Sequence, residues 1–319
     1  MKARVGLALG IGAAVFAAVL WRFDLSAVMA AMTRVGLSGF VAIVFAGLGL
    51  EVMLSLGLIP FLPRRVPFSV VVAARQLRDS AGDVLPITQL GGVAFAARAL
   101  VLAGVDAAEA AAAVIADVTT EVFAQGLYVL TGVLASLSLL RADTALSAYV
   151  GAMLGGAVFL SLGSMAFAVV QVTGSRWMGR LGDRLFPASV SHIQGFHAAI
   201  SALYGRKDKV LASMLLQWAG WMASGVWLWV VLKTMGLPTG LWAAIAIQAL
   251  LEGLRSATVF IPAAIGVQEV GYAALAPVFG LTPEIGLAIS LLRRGRDVVV
   301  AVPVFLAWQA IEGRRAFKP

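Results

Sequence analysis

Apolar residues run along this chain in blocks long enough to cross a bilayer, separated by short polar or basic interruptions. Val5 to Trp21 is the first block and predicts a short transmembrane helix, which suits it better than a cleaved leader because further blocks follow. Asp24 to Val35 has a helical period instead, with Leu25, Val28, Met29 and Met32 on one face, and predicts an amphipathic helix at the interface. Gly36 to Leu62 is the next span and carries Glu51. A basic hinge, Pro63 to Pro67, leads to Phe68–Asp83, an apolar helix bearing Arg75, Arg78, Asp79 and Asp83. Asp106 to Leu140 reads as one helical run, longer than a bilayer requires at about 1.5 Å per residue. It carries Glu109, Asp117, Glu121 and Gln125. Thr144–Val172 is a span with small residues (Gly151, Gly155, Gly156, Gly163) that let a neighbouring helix approach closely. Val210–Met235 is rich in tryptophan, Leu241–Val259 carries Glu252 and Arg255, and Pro283–Ile311 holds Arg293, Arg294, Arg296 and Asp297 near its centre.

Two segments break this rhythm. Leu254 to Gly280 is apolar, yet Pro262, Gly266, Gly271 and Pro277 interrupt it, and Gln268 and Glu269 sit in its middle. Leu85 to Gly104 is interrupted by Pro86, Gly91 and Gly92 and contains Arg98. Irregular backbone at membrane depth survives only where protein or water satisfies it, so both segments predict interrupted or re-entrant helices beside a polar cavity.

Composition fixes the class. The chain is 61% hydrophobic and 13% charged, against roughly 25% charged in soluble domains, and its mean hydropathy is +0.95. The expectation is an all-α polytopic membrane protein with about seven or eight transmembrane helices, multi-pass in a single domain over residues 1–319. The net charge of +8 lies between the apolar blocks, which is the positive-inside pattern rather than a nucleic-acid surface. On that rule the basic stretch 173–209 is a cytoplasmic loop. The topology closes with a cytoplasmic C-terminus only if one interrupted element crosses the bilayer fully. With no cysteine, only His192 and His197, no phosphate-binding loop and no His-Glu-x-x-His, no metal or cofactor is expected.

The two interrupted elements align without a gap. Pro262 lies 176 residues after Pro86, and Gly280 lies 176 after Gly104. The same offset sets Asp79 against Arg255, Asp117 against Arg293, Thr120 against Arg296 and Glu121 against Asp297. This predicts a first repeat over 36–140, with its interrupted element at 85–104, and a second over 240–313, with its element at 261–280. The competing explanation is a chance match of two Ala/Gly-rich stretches. Broken segments in corresponding halves point to a midplane transport site.

A charge at a helix centre costs at least ~2.5–3.5 kcal/mol to insert. The candidate cavity residues are therefore Arg98, Asp117, Glu121, Arg255, Glu269, Arg293, Arg296 and Asp297, with Pro86, Gly91, Gly92, Pro262 and Gly266 as helix breaks. The arginines are able to hold a lipid phosphate through forked hydrogen bonds. Equally, opposite charges at matched positions are able to pair with one another and tie the halves together. Arg294 points away from Arg293 and is a weaker candidate, and Glu51 and Glu252 read most simply as hydrogen-bonding to neighbouring helices.

Pro262, Gly266 and Glu269, the earlier Pro86…Gly91-Gly92 copy and the Asp117-x-x-x-Glu121 helix resemble the lysylphosphatidylglycerol synthase transmembrane family. The resemblance runs from about Gly36 onward. The stretch RDSAGDVLPITQLGGVAFAARALVLAGV is most similar to the hopanoid-biosynthesis-associated, HpnL-like branch. The resemblance implies a bacterial inner-membrane protein that moves a lipid between leaflets: a flippase acting on an anionic phospholipid or a hopanoid-type lipid. It also implies membrane lipids, hopanoid-biosynthesis proteins and further copies of the chain as partners. The soluble domain that aminoacylates lipid in multiple-peptide-resistance proteins has no counterpart in these residues, so transport rather than synthesis is the expectation. A membrane transferase using Asp117 or Glu269 as general base, and a non-catalytic scaffold, are the alternatives.

Overall fold

Long runs of Ala, Leu, Val and Gly with few polar interruptions leave the backbone to satisfy its own hydrogen bonds, and helix does this within one segment. The computed structural model describes residues 25–84, 89–139, 190–257 and 264–316, and every regular element among them is helical. In chain order these are α1 (Leu25–Ser55), a 3-10 turn (Leu56–Phe61), α2 (Phe68–Val84), α3 (Gln89–Leu102), α4 (Ala107–Leu139), α5 (Val190–Gly205), α6 (Lys207–Thr234), α7 (Leu241–Ala257), α8 (Val267–Leu275), a 3-10 turn (Ala276–Phe279) and α9 (Pro283–Ala316). Among the described residues three stretches are long and apolar enough to cross a membrane: Val28–Phe61, Ala107–Leu139 and Lys207–Thr234. The spans expected at Val5–Trp21 and Thr144–Val172, and the breaks at Pro86 and Pro262, lie outside the described residues.

The kink at Gly36 (φ +60, ψ −178) divides α1 into the expected amphipathic stretch and the span. The stretch buries Val28, Ala31 and Val35; Met29, expected on that face, is turned outward. Among the described residues two large apolar cores and a small one around Tyr128, Ile245 and Ala249 follow. One gathers Leu50, Leu54, Trp227, Val231, Leu251, Tyr272 and Leu287 between α1, α6, α7, α8 and α9. The other gathers Leu77, Ala96, Leu100, Val114 and Ile200 between α2, α3, α4 and α5. Outside, Leu127, Leu130, Leu134 and Leu137 form an exposed stripe on α4 at helical spacing, the face such a helix turns to lipid.

Two expectations change. The polar stretch 173–209 was read as a loop, but its described part contains α5, which buries Ile200 against α4. Helical spacing of Phe196, Ala199, Ile200 and Leu203 outweighs the surrounding polar residues. Gly91 and Gly92, read as a break, lie in the first turn of α3. Gly92 is there for contact: a Cβ would stand 2.3 Å from the Arg78 carbonyl oxygen, so the missing side chain lets α3 pack against α2.

Local geometry recurs at the 176-residue offset. The α3–α4 junction turns through Gly104 (φ +88), and the junction before α9 turns through Gly280 (φ +76), a region that only glycine enters freely. Gly104 N–H donates to Val101 O and Val105 N–H to Leu100 O; Gly280 N–H donates to Pro277 O and Leu281 N–H to Ala276 O. Asp106 then caps α4, accepting from the N–H groups of Ala108 and Glu109, and Thr282 caps α9, accepting from Ile285 N–H.

Candidate functional site

The buried charges fall into two networks. In the first, Arg75 and Arg78 project from α2 onto Asp117 and Glu121 of α4. Arg75 forks onto Glu121 (Nη2–Oε1 2.6 Å, Nη1–Oε2 3.0 Å) and also reaches Asp79. Arg78 bonds Asp117 Oδ2 at 3.0 Å, Glu121 Oε2 at 2.5 Å and Asp79 Oδ1 at 3.0 Å. Gln217 of α6 donates to the remaining Asp117 oxygen at 2.6 Å, and Glu51 of α1 lies 3.9 Å from Arg75. Asp117 is 2% exposed and Arg75 3%. A hydroxyl chain next to this network, Thr120 to Ser213 to the Gly57 carbonyl, ties α4 and α6 to the turn after α1.

In the second network the polarity of the elements is reversed. Glu252 of α7 accepts from Arg293 of α9 at 2.8 Å, from Arg255 at 3.2 Å and from Gln248 at 2.9 Å. Tyr272 of α8 donates to Gln248 Oε1 at 2.6 Å. Glu269 is fully buried and serves α8 itself: its Oε2 accepts from Gly266 N–H at 2.8 Å, capping the helix. Its Oε1 accepts from Ser290 Oγ at 3.2 Å and pairs with Arg294. The backbone entering α8 turns through Ala264 (φ +46) and Gly266 (φ +84), so irregular geometry sits where Pro262 and Gly266 predicted a break.

Arg296 pairs with Asp297 and lies over the Trp227 ring at 4.8 Å, while Arg293 lies 6.0 Å from the same ring. Trp227, 2% exposed, donates to the Ile43 carbonyl, so it holds α1, α6 and α9 together at the seam between the networks.

The expected residues thus divide. Asp117 and Glu121 enter the first network, Arg255, Glu269 and Arg293 the second, and Arg296 with Asp297 the seam. Arg98 stands apart: half exposed on α3, it bridges Glu312 near the end of α9 at 2.8 Å. The matched charges do not pair across the halves. Asp117 and Arg293 each find a partner on the hairpin beside their own long helix, because α2 is joined to α4 through α3, and α7 to α9 through α8. Arg294, Glu51 and Glu252 carry more than the sequence reading gave them. Gln217, Gln248, Tyr272 and Ser290 were not foreseen at all. The i,i+4 spacing of Arg75 and Asp79 and the i,i+3 spacing of Glu252 and Arg255 were the available signals.

Chemically, the Arg75 and Arg78 forks already hold carboxylates. Breaking one such buried pair costs about 3–5 kcal/mol, because a desolvated charge is left behind.

Apolar spans with buried ion-pair networks define a membrane-integral helical protein whose polar interior is enclosed by protein. A family model described as "Lysylphosphatidylglycerol synthase TM region" matches residues 5–304, and the chain belongs to that family. It is a membrane protein of a lipid-related family. Neither the curated proteins nor the solved structures give a significant match.

Proposed function

We propose that this protein is a lipid translocase, carrying a phospholipid or hopanoid-type lipid between the leaflets of the bacterial inner membrane. The observation that carries the reading is the investment of buried charge. Nine ionisable side chains converge between apolar helices among the described residues, and each that is charged costs ~2.5–3.5 kcal/mol or more to insert. A headgroup crossing the bilayer needs such an interior, while its tail remains in lipid. Asp117, Glu121, Arg255, Glu269, Arg293, Arg296 and Asp297 line the route, with Arg98 at its margin.

In this reading α2–α3 and α7–α8 are re-entrant hairpins in two copies of one unit, 36–140 and 240–313. The described parts of their helices have 17, 14, 17 and 9 residues. The recurrence of the Gly104 and Gly280 turns, and of the Asp106 and Thr282 caps, supports the duplication. The transferase alternative gains little here, since Asp117 and Glu269 are already engaged on both carboxylate oxygens.

The test is leaflet exchange in proteoliposomes with head-labelled phospholipids and hopanoids. Exchange above protein-free vesicles supports translocation, and its absence for every lipid class ends the proposal.

A further inference from the structure

The seam between α1 and α9 carries two pockets on one stripe. The first is apolar, about 310 Å³, lined by Met32, Val35, Gly36, Phe40, Leu291, Leu292 and Gly295 at the α1 kink. The second is polar and small, about 20 Å³, and includes Glu51, Gln76, Asp79, Ser80, Arg296 and Asp297 in its wall. The α1 residues Gly36, Phe40, Gly47 and Glu51 follow one another at helical spacing, as do Leu292, Arg296 and Val300 on α9. Gly295 ends one pocket and Arg296 begins the other. Along α1, Phe40 and Gly47 are about 10 Å apart at 1.5 Å per residue.

The polar pocket has a definite preference. A space of about 20 Å³ holds a group little larger than one water. Its wall sets three carboxylates against one guanidinium, and that guanidinium is paired with Asp297. Glu51 Oε2 accepts no hydrogen bond among the described residues, the Asp79 carboxyl faces the same side chain, and Arg75 Nε stands 3.9 Å away. A donor that reaches both carboxyls is the group this corner lacks. A phosphate is too large for this space.

We infer that the α1–α9 seam binds a single amphiphile, its tail in the Met32–Gly295 pocket and a small hydrogen-bond-donating head, a hydroxyl or a primary ammonium, on Glu51. The head enters where α1, α2 and α9 meet, against the Arg75–Asp79 edge of the first network. This names a cargo class for the translocase and rests on that reading, but its readout is binding and needs no transport.

The experiment uses the full chain in phosphatidylcholine nanodiscs and three diazirine-tailed probes with one tail: a long-chain alcohol, a primary amine and a phosphate monoester. Photolabelled peptides are mapped by mass spectrometry. The alcohol, the amine or both label residues 32–40 and 291–295 at least about tenfold more than the phosphate, a difference of ~1.4 kcal/mol in affinity. Glu51→Gln, which keeps shape and removes charge, cuts amine labelling and largely spares the alcohol, which separates the two sources. Gly295→Leu fills the apolar pocket and abolishes labelling at the seam; a Cβ there meets Phe40 at an ordinary 3.4 Å. Met32→Trp fills the same pocket from α1 should the first variant misfold. Equal labelling by the phosphate, seam labelling indifferent to both fillers, or labelling only elsewhere overturns the inference. Seam binding without leaflet exchange leaves it standing and removes the translocase instead.

Discussion

The two charge networks do similar work with opposite signs. In the first, a basic hairpin helix meets an acidic long helix: Arg75 and Arg78 on α2, Asp117 and Glu121 on α4. In the second, the hairpin supplies the acids, Glu252 on α7 and Glu269 on α8, and the long helix supplies Arg293 and Arg294. Counting Glu51 and Asp79, the first sets two guanidiniums against four carboxylates. The second, with Arg255, sets three against two. By formal charge the first network is therefore acidic and the second basic, so the two differ in sign as well as in which element supplies the acids.

Deleting an arginine should hurt most in the first network. Arg78→Ala leaves Asp117, Glu121 and Asp79 sharing one remaining guanidinium, and is expected to destabilise by about 3–5 kcal/mol. A large drop in detergent-solubilised melting temperature, with Arg78→Lys milder, is the expected outcome. Glu252→Ala should cost a similar or slightly smaller amount, since Arg255 lies near the end of α7 and is less enclosed than Arg78; its side chain is 10% exposed.

A double-mutant cycle asks whether the networks are separate. Arg78 with Glu121 should couple by about 0.5–3 kcal/mol, whereas Arg78 with Glu252 should add within ~0.5 kcal/mol. Strong coupling between Arg78 and Glu252 would merge the two networks into one. The smallest effect belongs to Arg98→Ala. Its solvent-exposed bridge to Glu312 is screened by water, so the melting temperature should barely move, and raised salt should erase any difference.

Much of the architecture was visible in the residues because helix ends are local. Gly36 divides α1 where the amphipathic pattern stops, and the 176-residue offset picked out Gly104 and Gly280, whose turns recur; the caps by Asp106 and Thr282 were not foreseen. The site was half visible. That charges at membrane depth mark an interior follows from insertion cost, so Asp117, Glu121, Glu269 and Arg293 could be selected from sequence. Their partners could not, because pairing depends on which helices pack together. The 176-residue offset suggested Asp117 facing Arg293, while packing gives each a partner from its own hairpin. Neutral members such as Gln217 and Tyr272 carry no insertion signal and emerge only from the contacts they make. Glu269 was chosen for its place beside a break, and its capping of Gly266 N–H explains why a carboxylate is needed there.

The decisive measurement separates charge that holds the bundle together from charge that carries a headgroup. Exchanging the whole cluster, Glu252→Arg with Arg255→Glu and Arg293→Glu, keeps its ion pairs in place while reversing their direction. Melting temperature and leaflet exchange are then read on the same proteoliposome preparation. If these charges line a lipid route, the exchanged protein stays folded and its leaflet exchange falls by about tenfold or more, ~1.4 kcal/mol of barrier. Exchange at the wild-type rate in the folded, reversed protein would show that the network only holds helices together.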